Sequence, residues 1–392
     1  MTRNDTHIPF LDHIRGIAVL IVFLFHCLGI GYGYDSLKWN GWFYDFNADP
    51  TFLALLPLTF GWVGVAIFFV VSGFCIHLSY ERSRDKSNAV FFLRRFFRIY
   101  PPYLVALLIF SCLPPWHYIP FNTLDSLVMF GSHMFLVHNF DAKLFSGICT
   151  TFWSVAIEFQ LYLIYPILIW FVRKLSWTRT LLILGVVEIA MRSYDAIFYE
   201  VYGTRGSYWI IGSPLYYWFS WSIGAAAADA FLLRRELPFA KVPPSVFLIL
   251  MVITANIRPL SFFAFIFAAL ATICIMDRLL KGEMKWTSMV PKWIADHLRF
   301  AGLVSYSIYL LHFPVLTLVP RVMEKFFHGQ HFHPLVMMLA CVATWIPVLA
   351  ASWVFYRIFE MPSIALGKKV IRHQVAAKEA RQLASGDVAP DA

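Results

Sequence analysis

The sequence predicts an all-α, polytopic integral membrane protein of about ten transmembrane helices, with the N- and C-termini cytoplasmic. Three observations carry this. Of the 392 residues, 59% are hydrophobic and 14% are charged, too apolar for a soluble chain of this length. Ten apolar stretches approach the roughly 17 to 25 residues that a helix needs to cross about 30 Å of hydrocarbon. Threading them from a cytoplasmic N-terminus places 24 of the 32 Lys and Arg residues on the cytoplasmic side, six opposite and two within spans. That asymmetry is the positive-inside bias of a membrane protein.

The first stretch, 10–30, begins with Asp12, His13 and Arg15 and carries His26 within it. At the rise of an α-helix, His26 lies about 16 Å beyond Arg15, near the bilayer centre. An ionisable group at that depth is costly and counts as a functional candidate. No small-residue cleavage site follows, so the stretch is expected to be retained. Spans two and three are 60–79 and 99–113, the latter opening on Pro101 and Pro102, which a helix tolerates at its start. Between them, 88–100 interleaves arginines with aromatics and reads as a helix lying in the cytoplasmic interface. The remaining spans are 152–172, 180–198, 208–232, 243–257, 260–279, 300–322 and 335–358. Residues 31–59 and 114–151 form the two longest external stretches, and 124–137 within the second reads as a surface or re-entrant helix. Residues 1–366 thus form one membrane domain, and 367–392 a cytoplasmic, partly disordered tail.

Membrane orientation accounts for the net charge of +9, so no nucleic-acid partner is implied. Six cysteines without a CxxC indicate neither a disulfide framework nor zinc. His328, His331 and His333 lack a supporting carboxylate or cysteine, and no metal site is read there. Glu188 and Arg192, four apart, pair as a brace within one helix. Trp153, Trp209, Trp218 and Trp221 lie near span ends, as an aromatic belt requires. Glu360 precedes Pro362, where a proline ends a helix.

Five motifs occur in order along nearly the whole chain. They are Leu11-Asp12-His13-Ile14-Arg15-Gly16 with His26 eleven residues after the arginine; Gly64-Val-Ala-Ile-Phe-Phe-Val-Val-Ser72-Gly73-Phe74; Arg94-Arg95-Phe-Phe-Arg98-Ile-Tyr-Pro101; Trp153-Ser154-Val-Ala-Ile-Glu158-Phe-Gln-Leu-Tyr162; and Ser305-Tyr306-Ser307-Ile-Tyr309-Leu-Leu-His312. Together they resemble acyltransferase family 3, which includes the O-antigen, peptidoglycan and Nod-factor O-acetyltransferases. His13 stands where that family usually has glycine, and Glu360 with Pro362 resembles its closing Glu-x-Pro. The resemblance implies acyl transfer, typically of acetyl from acetyl-CoA, to a hydroxyl of an envelope, exported or lipid-linked sugar. It implies no permanently bound cofactor, an inner-membrane location, and polysaccharide biosynthesis proteins as partners.

The residues themselves fit such chemistry. Counted along their spans, Ser72, Glu158 and His312 fall in the central to outer half of the membrane with His26. Acyl transfer needs a base, a group that orients it, and donors for an oxyanion. His26 is the expected base, with Glu158 as its orienting carboxylate; Ser72, Tyr309 and His312 are oxyanion donors or sugar ligands. Direct transfer and a covalent acyl-histidine or acyl-serine intermediate both remain open. Arg95 and Arg98 share a helix face and suit the phosphates of the donor, with Arg15 on the same route. The rival classes are a transporter or exporter, since intramembrane His, Arg and Glu also relay protons, and a non-enzymatic component of a polysaccharide assembly complex.

Overall fold

The computed structural model describes residues 8–37, 49–116, 122–284, 288, 290–328 and 330–385. Parts of the two long stretches expected to be external, 38–48 and 117–121, and the end of the tail, 386–392, lie outside the described residues. Among the described residues the regular structure is helical, without strands. Seven helical stretches among the described residues are long and apolar enough to cross a membrane, which makes the chain a multi-pass membrane protein.

The first helix, α1 (Pro9–Tyr32), has proline in its opening turn and stops at Gly33, whose φ of 88° lies in the left-handed region. Next come α2 (Val63–Glu81) and α3 (Asn88–Cys112). The latter corrects an expectation: the interfacial segment and the third span are one helix, with Pro101 and Pro102 in its interior. Proline lacks an N–H, so Pro101 leaves the carbonyl of Phe97 without its helical donor. The Ser363 hydroxyl supplies that hydrogen bond at 2.6 Å, and Ser87 caps the earlier start by accepting from the Val90 N–H.

The apolar piece of the second external stretch forms α4 (Leu124–Met134), capped by Thr123. Spans four and five appear as one 51-residue element, α5 (Phe152–Tyr202), interrupted at Ser176 (φ 77°, ψ 163°). Unbroken it would be about 77 Å long, far beyond a bilayer, so the break divides it into two arms. The sixth stretch starts later than expected, as α6 (Trp218–Leu233), after a 3₁₀ turn opened by Pro214. Then follow α7 (Pro244–Asn256), α8 (Ala264–Lys281), α9 (Lys292–Leu303), α10 (Ser305–Leu316) and α11 (Leu318–Phe326).

The last stretch contains α12 (Pro334–Ala343), α13 (Trp345–Phe355), a π turn over Tyr356–Glu360, and α14 (Met361–Ser385). Here too the structure departs from the sequence reading, because Pro362 does not end the helix. It stands just past the π turn, and the helical run continues through it. The tail segment from 367 onward continues α14, which packs along α3.

One close approach positions the site. A Cβ on Gly73 would lie 2.0 Å from the carbonyl oxygen of Trp221, and one on Gly224 equally close to that of Val70. Only residues without a side chain let α2 and α6 meet backbone to backbone, and this contact delivers Trp221, fully buried, to Ser72.

Candidate active site

A cavity with about 830 Å³ of empty space lies between α1, α2, α3, α5 and α10. Six residues expected at the site line it: Arg15, Ser72, Arg95, Arg98, Glu158 and Tyr309. One end is basic. Arg15 donates to the Cys75 sulfur at 3.2 Å and lies 3.7 Å from Asp12. Arg95 donates to the Ser79 hydroxyl at 3.0 Å. Arg98 pairs at 2.7 Å with Glu360, which also accepts from the Ser307 hydroxyl.

Above the arginines the lining turns to hydroxyl groups. Tyr162 donates to the Glu158 carboxylate at 2.5 Å. Since that hydrogen is committed, Ser72 donates to the Tyr162 oxygen at 3.1 Å and accepts from the Trp221 N–H at 3.3 Å. Four residues from three helices therefore form a string of donors that ends on one carboxylate. Higher still, the hydroxyls of Tyr309 and Ser154 lie 2.5 Å apart, and the edge of Phe68 packs on Tyr309.

The two histidines meet beyond Tyr309, with ring centroids 5.3 Å apart. His312 Nδ1 lies 3.0 and 2.9 Å from the carbonyls of Ile308 and Tyr309. A carbonyl only accepts, so Nδ1 carries the hydrogen and Nε2 is the basic nitrogen, buried and unpaired. His26 is half-buried; its Nδ1 lies 2.9 Å from the Tyr34 hydroxyl, and its ring packs against Phe313.

The structure does not join His26 to Glu158. The carboxylate is engaged by Tyr162 one turn along its own helix, and the imidazole by Tyr34 beyond the turn at Gly33. Neither histidine is among the residues that line the cavity. Four participants were absent from the expected set. Tyr162 had a local signal, its i+4 spacing from Glu158. Glu360 was marked only by its resemblance to the family's closing Glu-x-Pro, and Trp221 and Tyr34 had no signal, since each reaches the site through contacts between segments; Trp221, expected in an aromatic belt, is interior.

Other expectations resolve away from the cavity. Glu188 and Arg192 form their brace at 2.9 Å. His333 caps α12 by accepting from the Leu335 N–H and lies 3.3 Å from Asp49.

A bundle of membrane helices closed around a cavity that passes from guanidinium groups to hydroxyls defines a broad class. Its family is narrower: this chain belongs to the acyltransferases, since the family described as "Acyltransferase domain" matches residues 8–357. Three relatives are similar to it. The peptidoglycan O-acetyltransferase OatA of Listeria monocytogenes is 24% identical over 352 residues, 81% of this chain and 51% of that protein. The putative peptidoglycan O-acetyltransferase YrhL of Bacillus subtilis is 26% identical over 82% of this chain and 51% of its own length. The acyltransferase MdmB of Streptomyces mycarofaciens is 31% identical over 46% of this chain and 43% of its own. The chain thus spans about half the length of the first two relatives. No solved structure matches it with significance.

Proposed function

We propose that the protein transfers an acetyl group from acetyl-CoA to a hydroxyl of a cell-envelope, exported or lipid-linked sugar. One observation carries this reading: a single cavity runs from Arg95 and Arg98 to Tyr309, and the two imidazoles stand next to its far end. Two relatives named as peptidoglycan O-acetyltransferases support acetyl as the group and an envelope glycan as the acceptor. In this reading the chain crosses the inner membrane ten times with both termini in the cytoplasm. The basic end then faces the cytoplasmic donor. No cofactor is held permanently, and polysaccharide biosynthesis proteins supply or receive the glycan.

The donor's phosphates meet Arg15, Arg95 and Arg98, and its thioester arm rises toward Ser72, Tyr162 and Tyr309. The sugar approaches past Tyr34. His26, with Nδ1–H donated to Tyr34, takes the hydroxyl proton at Nε2 as the oxygen attacks the thioester carbon. The Tyr309 hydroxyl, with His312 beside it, stabilises the tetrahedral oxyanion. The C–S bond breaks as the ester C–O bond remains, and the proton taken by His26 ends on the departing thiolate. Glu158 holds the string of hydroxyls in place from within the cavity.

The test is turnover in reconstituted vesicles. With a glycan acceptor present, the parent releases CoA thiol and acetylates the glycan, and His26→Ala lowers that rate by about 10²- to 10⁴-fold, the range for a general base. Equal rates for the two proteins, or thiol release that ignores the glycan, would sink the reading.

A further inference from the structure

A second cleft opens where α14 lies along α3. It has about 1090 Å³ of empty space, and its lining includes Arg94, Arg95, Arg98, Lys368 and Arg372 but no carboxylate. Arg95 and Arg98 also line the central cavity, so the two spaces share a wall at the basic end. We propose that this cleft seats the adenosine 3′,5′-bisphosphate end of the donor, with Arg94, Lys368 and Arg372 reading its phosphates. The assignment rests on acetyl-CoA as donor.

Several features set these three cations apart from a generic basic rim. Within the cleft Arg98 is already paired with Glu360, and Arg95 with Ser79. Among the described residues Arg94, Lys368 and Arg372 have no carboxylate partner, and the Arg372 Nε only donates to the Lys368 carbonyl at 3.3 Å. Lys368 and Arg372 are four apart on α14, so they rise from one face. The adjoining face of α14 is held against α3, because Gly367 abuts Phe97 and Ser363 bonds the Phe97 carbonyl. The cations therefore line a concave space between two packed helices, which a snorkelling anchor does not need. Uncompensated guanidinium and ammonium groups in such a space match a ligand carrying several phosphate charges. The family match ends at residue 357, so Lys368 and Arg372 add donor recognition from outside the matched region.

The probe is adenosine 3′,5′-bisphosphate itself, titrated into the purified full chain, alongside acetyl-CoA turnover. We expect the parent to bind it and Lys368→Ala/Arg372→Ala to bind about tenfold more weakly, the scale of losing part-exposed charge-assisted contacts. The same variant raises KM for acetyl-CoA by a similar factor and leaves turnover of acetyl-pantetheine, which lacks the bisphosphate, at the parent rate. Lys368→Arg/Arg372→Lys keeps the charge and recovers most of the affinity, separating recognition from misfolding. The assignment is overturned if the parent does not bind the bisphosphate, or if the variant loses acetyl-pantetheine turnover equally. It is also overturned if the effect appears in phosphatidylglycerol vesicles and vanishes in phosphatidylcholine, since a lipid headgroup is then the occupant. Binding that is lost in the variant, from a parent that does not consume acetyl-CoA, keeps the cleft and removes the donor reading.

Discussion

Two Arg–Glu pairs in this protein use the same groups to opposite ends. In α5, Arg192 and Glu188 are 2% and 0% exposed, and the pair is closed on itself. Glu188 also accepts from the Ser220 N–H and hydroxyl, while the Arg192 guanidinium lies over the rings of Tyr216, Tyr217 and Phe265. The other pair joins Glu360, 0% exposed, to Arg98, whose side chain is 37% exposed and borders both the cavity and the cleft. Enclosing both partners makes a strut. Enclosing only the acid holds an arginine in place and leaves its side chain bordering open space.

Breaking the closed pair has the largest expected effect. Glu188→Ala leaves a buried guanidinium uncompensated and costs about 3–5 kcal/mol of stability, read as a fall in thermal unfolding temperature in detergent. Lost activity at an unchanged unfolding temperature would contradict the strut. The same conservative change made in both pairs sharpens the contrast. Arg192→Lys gives up the planar stacking and costs stability, about 2 kcal/mol, with donor affinity kept. Arg98→Lys loses the fork and weakens donor binding about tenfold, with unfolding shifted much less. If both variants respond alike in both measurements, the two pairs do not differ in kind. The smallest effect belongs to Tyr34→Phe, which removes the neutral partner of His26. It lowers kcat about three- to tenfold at unchanged donor KM; a change confined to KM would place Tyr34 in binding instead.

What the sequence discloses follows the range of the interactions. Apolar lengths and charge bias mark the membrane helices, and the Glu188–Arg192 brace is legible because both partners sit on one helix. The arginine end of the cavity is legible for the same reason, since Arg95 and Arg98 share a face. Contacts between distant segments are not. Pro101 belongs in a helix interior only because Ser363, far along the chain, satisfies the carbonyl it strands. Glu360 reads as a helix end until the fold brings it to Arg98. His26 and Glu158 invite pairing by chemical type, yet each has a nearer partner in Tyr34 and Tyr162.

The string from Trp221 through Ser72 and Tyr162 has a direction, because each hydroxyl has a single hydrogen and Glu158 is the terminal acceptor. While that carboxylate is ionised, the hydrogens of Ser72 and Tyr162 are both spoken for. In effect the carboxylate acts as a rectifier, pointing both hydroxyl hydrogens the same way along the wall of the cavity.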